Sequence, residues 1–396
     1  MKIESIKIKK YKSFKDASVS NIPKMMVVLG SNGSGKSTFF DVFGFLSDAL
    51  HNNATIAINK RGGFAEVISR GCNPLSDKIS FEIKFRNIQN DENNAPLITY
   101  FLEIGFENGK VFIADEVLKY RRGRRGKPWH FIEFKNGEGY AITNEKEYGK
   151  ENVKEERIHQ KVTSPDILAI KGLGQFEEFK ALSSFRNLLE RWYVSNFKIE
   201  HGRAISDTGI SNHLSVTGDN LAQVAKYLKD NHPKVFQKIL DKLPSRIPGI
   251  IQVEAKETED GRIILKFKDA NFDEPFVARY VSDGTIKMFA YMILLNDPEP
   301  HPLLCIEEPE NFLHPDLLLS LCEEIRDYAD RGGQVFVSTH SPDFVNGLEI
   351  KKENNGFTKI VSVKEDERAL ELSKENQLGW MWRNHYIKGA NLKRDE

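Results

Sequence analysis

The sequence has little cysteine and no long apolar run. Cys72, Cys305 and Cys322 lie far apart, without a C-x-x-C pair, which argues against a disulfide framework or a structural zinc motif and suits a reducing compartment. No stretch approaches the ~18–20 apolar residues of a membrane span. The N-terminus, MKIESIKIKKYKSF, alternates apolar and basic residues like a strand and unlike a signal peptide. We therefore expect a soluble, cytoplasmic protein without membrane contact.

An excess of charge of either sign is also missing. Lys and Arg together number 57, and Asp and Glu together number 57. No net field draws the protein to nucleic acid or to a membrane surface, so any nucleic-acid contact requires a local patch. The length of 396 residues is enough for two or three ordinary domains, or for one domain with large insertions.

A glycine-rich segment is the most informative feature present. GSNGSGKS, at 30–37, matches G-x-x-x-x-G-K-[ST] without a break, after the apolar run MMVVL and before a helix-like stretch. A strand, a glycine-rich turn and a helix N-terminus direct backbone N–H groups at a triphosphate. The alternative, a chance glycine-rich turn, is disfavoured by this context. The residues predicted to bind ATP are Gly30, Ser31, Asn32, Gly33, Ser34, Gly35, Lys36, Ser37 and Thr38.

Two adjacent carboxylates supply the second part of the predicted site. LLCIEE, at 303–308, predicts a buried strand whose acidic end reaches the sheet edge from which the Gly30 loop emerges. Neighbouring strand residues point to opposite sides. We assign Glu307 to Mg²⁺, together with the Ser37 hydroxyl, and Glu308 to orienting the attacking water, while Lys36 reaches the β- and γ-phosphates. The alternative is an exposed acidic turn before Pro309.

The rest of the chain predicts an α/β protein with large insertions. Apolar runs separated by short turns predict an antiparallel sheet of hairpins between 79 and 143, and the charged residues 144–161 predict an exposed connection. Residues 164–245 have helical character. The predicted division is an N-terminal ATPase lobe (1–150), a helical insertion (151–248), a C-terminal ATPase lobe (249–365) and a tail (366–396).

Three further segments resemble ABC-type ATPases. YVSDGT (280–285) resembles their signature motif, EEPENFLHP (307–315) resembles a D-loop after the acidic strand, and VFVSTHS (335–341) places His340 where the switch histidine stands. A lone histidine after a strand is usually structural. The order phosphate loop, signature, carboxylates and histidine favours the resemblance. The sequence is similar to the SMC/RecF branch, and more narrowly to the OLD-like ATPases of bacterial anti-phage systems.

The resemblance implies a fold and a mechanism. The expected fold is an α/β ABC-type ATPase head (a P-loop NTPase) with an antiparallel β subdomain and an inserted helical lobe. Hydrolysis of ATP with Mg²⁺ would use Lys36, Glu308 and His340. In a homodimer or higher homo-oligomer, Ser282, Asp283 and Gly284 of one chain would cap the γ-phosphate held by the other.

The resemblance also bears on the biological role. OLD nucleases carry a Toprim domain after the ATPase, and the ~45 residues after Glu349 are too few for a domain of roughly 50 residues or more. This implies a switch that controls a separately encoded, nuclease-like effector in an anti-phage module. The alternative is a RecF-like ATPase that binds DNA in repair or maintenance. The usual glutamine loop is not evident, and RGGFAEV (61–67) stands near its place.

Two patches leave their alternatives open. Arg121, Arg122, Arg124 and Arg125 crowd one hairpin tip beside Trp129, which suits phosphate contact and base stacking or simply a solvated turn that protects a sheet edge. Aromatic residues also interrupt the polar tail, and they would either dock the tail or form an interface. These aromatic residues are Trp380, Trp382 and Tyr386.

Overall fold

The computed structural model describes most of the chain. The described residues are 2–30, 33–86, 96–120, 128–147, 150, 153–176, 178–195, 197, 199–203, 205–207, 209, 211–349 and 377–383. Ser31 and Asn32 of the phosphate loop, the four arginines at 121–125 and Tyr386 of the tail lie outside them. Contacts divide the chain into two compact units, 1–23 with 32–192 and 24–31 with 193–396. The predicted boundaries at 150, 248 and 365 stay predictions.

Helices and strands are numbered in chain order. The strands are β1 Lys2–Tyr11, β2 Phe14–Ser20, β3 Met25–Leu29, β4 Ile79–Arg86, β5 Leu97–Glu107, β6 Lys110–Tyr120, β7 Trp129–Lys135, β8 Glu138–Ile142, β9 Arg157–Lys161, β10 Trp192–Ser195, β11 Ser206–Asp207, β12 Ile250–Glu257, β13 Arg262–Asp269, β14 Phe276–Val277, β15 Leu303–Glu307 and β16 Gln334–Thr339. The helices are α1 Lys36–His51, α2 Ala54–Asn59, α3 Phe64–Val67, α4 Ala169–Leu173, α5 Lys180–Glu190, α6 Ile199–Gly202, α7 Leu221–Asn231, α8 Pro233–Arg246, α9 Asp283–Leu295, α10 Pro315–Asp330, α11 Pro342–Glu349 and α12 Leu378–Arg383.

The first unit is built on an antiparallel sheet in the order β2-β1-β4-β5-β6-β7-β8-β9. Alternate residues of β4 are fully buried, as the period of two in its sequence requires. Aromatic rings join this face to the helices: Phe45 of α1 lies 5.5 Å from Phe81, and Phe185 of α5 stacks on Phe85 at 4.7 Å between centroids. The predicted sheet of hairpins is confirmed.

Two local predictions were wrong. Within the charged stretch 144–161, β9 pairs with β8 as the edge of the sheet, and its residues remain mostly exposed. Charged residues on an edge strand commonly prevent it from pairing with another molecule. A polar composition therefore does not distinguish such a strand from a loop. Trp192–Ser195 was included in a helical stretch, yet it forms strand β10 beside β15. Burial of its aromatic and β-branched side chains overrides the helical context of α5.

The second unit contains a four-stranded sheet in the order β10-β15-β16-β3, in which β15, β16 and β3 run parallel. Leu303–Ile306 and Val335–Val337 are completely buried, as expected for strands covered on both faces. Helix α9 is buried along its whole length from Ile286 to Leu295 and belongs to the core of this unit. A smaller antiparallel sheet, β11-β13-β12 with β14 on β13, packs into the same core.

No helix among the described residues combines the length and the apolar character needed to cross a bilayer.

Candidate nucleotide site

The phosphate loop ends in glycines that hold unusual backbone angles. Gly33 has φ +78° and Gly35, the N-cap of α1, has φ +100°, a region that other residues rarely adopt. A Cβ at Gly35 would also lie 2.9 Å from Ser13 Oγ. Lys36 is buried at the first position of α1 and Ser37 is exposed. The first turn of α1 contains no acidic residue, and the partial positive charge at a helix N-terminus favours an anion.

Helix α1 is held in place by partly buried ion pairs that sequence analysis missed. Arg61 donates from Nε to Asp41 Oδ1 at 2.8 Å and from Nη1 to Asp48 Oδ2 at 2.9 Å. Tyr11 donates its hydroxyl hydrogen to Asp41 Oδ2 at 2.7 Å, and Lys12 Nζ lies 2.5 Å from the same oxygen. Asp41 and Asp48 stand seven residues apart on one face of α1. Arg61, in the segment of uncertain role at 61–67, therefore has a structural role, because it fixes the rotation of α1.

The parallel sheet brings the other predicted residues to one edge. Leu29, the last residue of β3, pairs with Thr339, and Glu307, the last residue of β15, pairs with Ser338 on the same strand, β16. Gly30 therefore leaves the sheet at the edge where Glu307 ends. This is the predicted arrangement of the first loop residue and the first carboxylate.

Glu308 has left the strand conformation. Its φ is +44°, in the left-handed region, and its N–H donates to Ser338 O at 2.9 Å. This turn places the carboxylate against the predicted switch histidine, with Oε1 2.9 Å from His340 Nε2. The other oxygen, Oε2, accepts a hydrogen bond from Asn311 Nδ2 at 2.8 Å. The structure thus brings Glu308 and His340 into direct contact and engages both carboxylate oxygens.

A further carboxylate, which sequence analysis did not select, organises the histidine. Glu310 Oε1 accepts hydrogen bonds from the His340 backbone N–H at 2.6 Å and from Thr339 Oγ1 at 2.8 Å. The link joins the loop after β15 to the loop after β16. His340 is consequently held at its backbone by Glu310 and at its ring by Glu308.

Lys287 of α9 supports the same loop from the core side. Its Nζ donates to Asn311 O at 2.6 Å and to Glu308 O at 3.5 Å. Burial lowers the pKa of Lys287 to about 8, and the nearby charges of Glu310 and Glu308 oppose that change. The signature helix and the loop with the predicted catalytic carboxylate are therefore joined through one buried ammonium group.

The signature residues begin α9 as predicted. Ser282 is the N-cap, and its Oγ accepts from Thr285 N at 3.3 Å. Asp283 pairs with Arg203 at 2.5 Å, and Arg203 also donates to Val281 O. A Cβ at Gly284 would lie 3.0 Å from Phe312 O, so a glycine lets the signature turn contact the D-loop-like segment of its own chain.

The residues that sequence analysis missed are Arg61, Asp41, Glu310, Lys287, Asn311 and Arg203. Glu310 and Asn311 lie inside the D-loop-like segment, so their neighbourhood was recognised although their roles were not. No local pattern distinguishes Arg61 or Lys287 from other basic residues.

A comparison with protein families shows to which family the chain belongs. The family described as "AAA domain, putative AbiEii toxin, Type IV TA system" matches residues 25–346, from the start of β3 to α11. The chain belongs to this family. The match includes the phosphate loop, the signature, both carboxylates and His340.

Individual relatives are more distant. Old nuclease of Escherichia phage P2 is 27% identical over 209 residues, which are 47% of this chain and 35% of that protein, so this chain spans only about a third of its length. An "ATP/GTP phosphatase" of Helicobacter pylori is 22% identical over 380 residues, with 92% of this chain and 93% of that protein covered. A solved structure, "Crystal structure of the SmcHead bound to the C-winged helix domain of ScpA", matches with a TM-score of 0.51 at 15% identity, covering 88% of this chain and 92% of that chain.

These findings confirm the fold and the family. This AAA-family member has the α/β fold of an ABC-type P-loop ATPase with an antiparallel sheet, and part of the chain is similar to Old nuclease.

Proposed function

We propose that this AAA-family protein binds and hydrolyses ATP with Mg²⁺, and that nucleotide occupancy controls the association of two copies. The contact between Glu308 and His340 at the carboxyl edge of the parallel sheet carries the proposal. The contact supports the proposal because it places the proposed general base and the proposed γ-phosphate ligand side by side, near the point where Gly30 leaves the sheet.

The residues present fit a nucleotide and its metal. Gly33 and Gly35 have positive φ angles, and the first turn of α1 contains no acidic residue of its own. Lys36 would bind the β- and γ-phosphates, and the Ser37 hydroxyl and Glu307 would hold Mg²⁺. Bound Mg²⁺ would neutralise phosphate charge as the bond to the leaving group breaks.

Glu308 would accept the proton of the attacking water. One of its oxygens contacts His340 and the other accepts from Asn311, and each oxygen has a second lone pair that could accept from the water. Release of His340 from Glu308 would leave its Nε2 free to donate to the γ-phosphate. Glu310, which holds the His340 backbone, would keep the ring close during this exchange.

Exposed aromatic residues support association through the signature surface. Tyr280 is 76% exposed and Phe312 is 68% exposed, and Phe312 O lies against the Gly284 turn. Exposed aromatic side chains beside polar groups are typical of protein interfaces. We propose that this surface, defined by Tyr280, Ser282–Gly284 and Phe312, meets the nucleotide bound to a second copy.

For the biological role, we propose a switch that controls a separate effector in an anti-phage module. The similarity to a protein named Old nuclease, over 35% of that protein's length, supports a link to a nuclease, which we place in a separate effector. The family description names a putative toxin of a type IV TA system, which is a module of more than one component. The test is to co-purify the neighbouring gene product and to measure its nuclease activity with and without ATP.

Glu308→Gln tests the catalytic assignment. The amide cannot accept the water proton but retains an oxygen near His340, so turnover should fall at least a hundredfold while ATP binding persists. Phosphate release and bound nucleotide would be measured together. Glu259→Gln, in an exposed turn, is the matched control and should hydrolyse ATP normally. Hydrolysis by Glu308→Gln at the rate of the parent would refute the assignment.

Phe312→Ala tests the dimer surface. In protein carrying Glu308→Gln, light scattering should detect a dimer that forms only with ATP. Adding Phe312→Ala should weaken the affinity of this dimer at least tenfold and leave the affinity for ATP unchanged. Phe272→Ala removes another exposed phenyl ring and should leave the dimer intact. An ATP-dependent dimer equally stable in both variants would place the interface elsewhere.

A further inference from the structure

A second cluster of metal-ligand side chains lies at the opposite end of β15 from Glu307. His213, Asp297 and His301 offer ligand atoms that all lie within 4.8 Å of one another. Within the described part of the chain, these three side chains are close enough to one another to bind the same ion. His301 stands two residues before β15 begins at Leu303, so about 13 Å of strand separates the cluster from the carboxylate edge.

The cluster is buried on one side and open on the other. The side chain of Asp297 is 5% exposed, and His301 is 8% exposed. His213 is 38% exposed at its side chain, which gives an ion a path from solvent. The ring of Tyr193 lies against His301, with 4.7 Å between ring centroids, and forms part of the apolar wall. Exclusion of water on one side strengthens the attraction between a carboxylate and a cation.

Hydrogen bonds that form without a bound ion hold the backbone around the cluster in place. Asn220 Nδ2 donates to His213 O at 2.9 Å, and Tyr328 OH donates to His301 O at 2.8 Å. Between Asp297 and His301, the sequence DPEPH contains two prolines, which restrict the backbone φ angles of that turn. The ligands therefore start from positions close to those needed, which lowers the entropy cost of binding.

Both carboxylate oxygens of Asp297 already make contacts, so a bound ion would have to replace one of them. Asp297 Oδ1 accepts from Glu299 N at 2.8 Å, and Oδ2 contacts His213 Nδ1 at 2.7 Å. Two ligands of a tetrahedral zinc ion, each about 2.0–2.1 Å from the metal, lie about 3.4 Å apart. A small rotation of the half-exposed His213 ring would open the 2.7 Å contact enough to admit the ion between the two groups.

We propose that His213, Asp297 and His301 form a binding site for a divalent transition-metal ion, with Zn²⁺ as its representative occupant. Two imidazoles and one carboxylate suit zinc and its neighbours in the first transition row, whereas Mg²⁺ and Ca²⁺ prefer oxygen ligands throughout. Three protein ligands leave one position for water. The ion would join a segment before α7 to the turn before β15, 84 residues further along the chain.

Equilibrium dialysis of the full chain, stripped of metal by a chelator, tests the site. Wild-type protein should retain one equivalent of Zn²⁺, and Co²⁺ should bind with the visible absorbance of a four-coordinate complex. His213→Ala and Asp297→Asn should each weaken Zn²⁺ affinity at least about tenfold. Since His213 is partly exposed, its removal should leave the apo protein folded, as circular dichroism would verify.

A matched control distinguishes the cluster from an ordinary histidine–carboxylate pair. His159 Nε2 lies 3.1 Å from Glu138 Oε1 on exposed strands, so His159→Ala removes a similar pair and should retain full Zn²⁺ binding. Lys36→Ala should also retain it, because the site does not depend on the nucleotide. No binding of Zn²⁺ or Co²⁺ by the wild type, or binding that His213→Ala leaves unchanged, would overturn the proposal.

Discussion

At the residue scale, Glu308 has an unfavourable backbone conformation. A left-handed φ in a residue with a Cβ costs about 1–2 kcal/mol, and Glu308 has φ +44°. The cost is offset by its N–H bond to Ser338 O and by the contacts of its carboxylate with His340 and Asn311. Such strain is often found where a side chain has to be aimed at a reacting group.

Glu310 should act as a positioning residue for His340. Glu310→Ala removes the acceptor for the His340 N–H, so the turnover number of ATP hydrolysis should fall about tenfold or more, while ATP affinity changes little. Glu310→Gln keeps an oxygen that can accept both bonds and should restore most of the activity. Equal losses in the alanine and glutamine variants would mean that the charge matters and the hydrogen bonds do not.

Residues of the candidate site differ in how far the sequence could predict them. Gly30–Thr38 form a contiguous motif, and Glu307 and Glu308 end an apolar strand, so local pattern alone selected them. Glu310 acts on a residue 30 positions away, and Lys287 acts on a loop more than 20 positions away. Contacts over such distances depend on how strands and helices assemble, which no local spacing encodes.

At the scale of single elements, α1 depends on one arginine. Arg61 is only 10% exposed at its side chain and pairs with both Asp41 and Asp48. Arg61→Met would leave two partly buried carboxylates without this partner, and we expect a loss of about 2–3 kcal/mol in the free energy of unfolding. Urea unfolding measured on the full chain would test this.

The control for that measurement is Arg70→Met. Arg70 makes an exposed pair with Glu66, four residues earlier, and such pairs contribute about 0.3–0.5 kcal/mol. A change for Arg61→Met as small as that for Arg70→Met would show that the pairing of Arg61 contributes little to stability.

Glu116 predicts a pH-dependent stability. Its buried carboxyl accepts from Ala169 N at 2.6 Å, Ile170 N at 3.1 Å and Tyr100 OH at 3.1 Å, and burial raises its pKa to about 7 from 4.5. The folded state therefore binds a proton that the unfolded state releases between pH 4.5 and 7. Its contribution to stability is present below pH 4.5 and is lost as pH rises through 7.

Glu116→Gln isolates that effect. Between about pH 4.5 and about pH 7.5, the unfolding free energy of the parent should fall by about 3 kcal/mol relative to that of Glu116→Gln. Glu107→Gln, at an exposed end of β5, should show no such change. A difference independent of pH would mean that Glu116 titrates in the same range in both states.

The elements themselves were mostly predictable from sequence. Apolar runs separated by short turns predicted the sheet that contains β4 to β7, and the largely apolar segment IKMFAYMILL after the signature forms the buried α9. β10 and β9 were not predicted as strands, because β10 closely follows helix α5 and β9 is short and mostly polar. In both cases the neighbouring strand in the sheet, and not the local sequence, decides the conformation.

For the whole molecule, the balance of 57 basic and 57 acidic residues limits contact with nucleic acid. We expect the DNA affinity of the protein to change little with salt, as suits a switch acting on a protein partner. If four arginines at 121–125 each neutralised a phosphate, the slope of log affinity against log salt would be about −3.6. Binding assays across a salt series would measure it.

The variant with all four of these arginines changed to alanine completes the comparison. A steep slope in the parent that the variant loses would favour the alternative, a RecF/SMC-like ATPase acting on DNA. DNA stimulation of ATP hydrolysis, lost in the same variant, would point the same way.

The double attachment of α1 through Arg61 has a further consequence for dynamics. A helix bonded to one guanidinium at two points about two turns apart, and through Asp41 to Tyr11, is not expected to unfold by itself. β1, α1 and the turn after α2 should therefore open as one cooperative block. Amide deuterium uptake in these three stretches should rise together on mild denaturation, and Arg61→Met should divide the block into pieces that exchange independently.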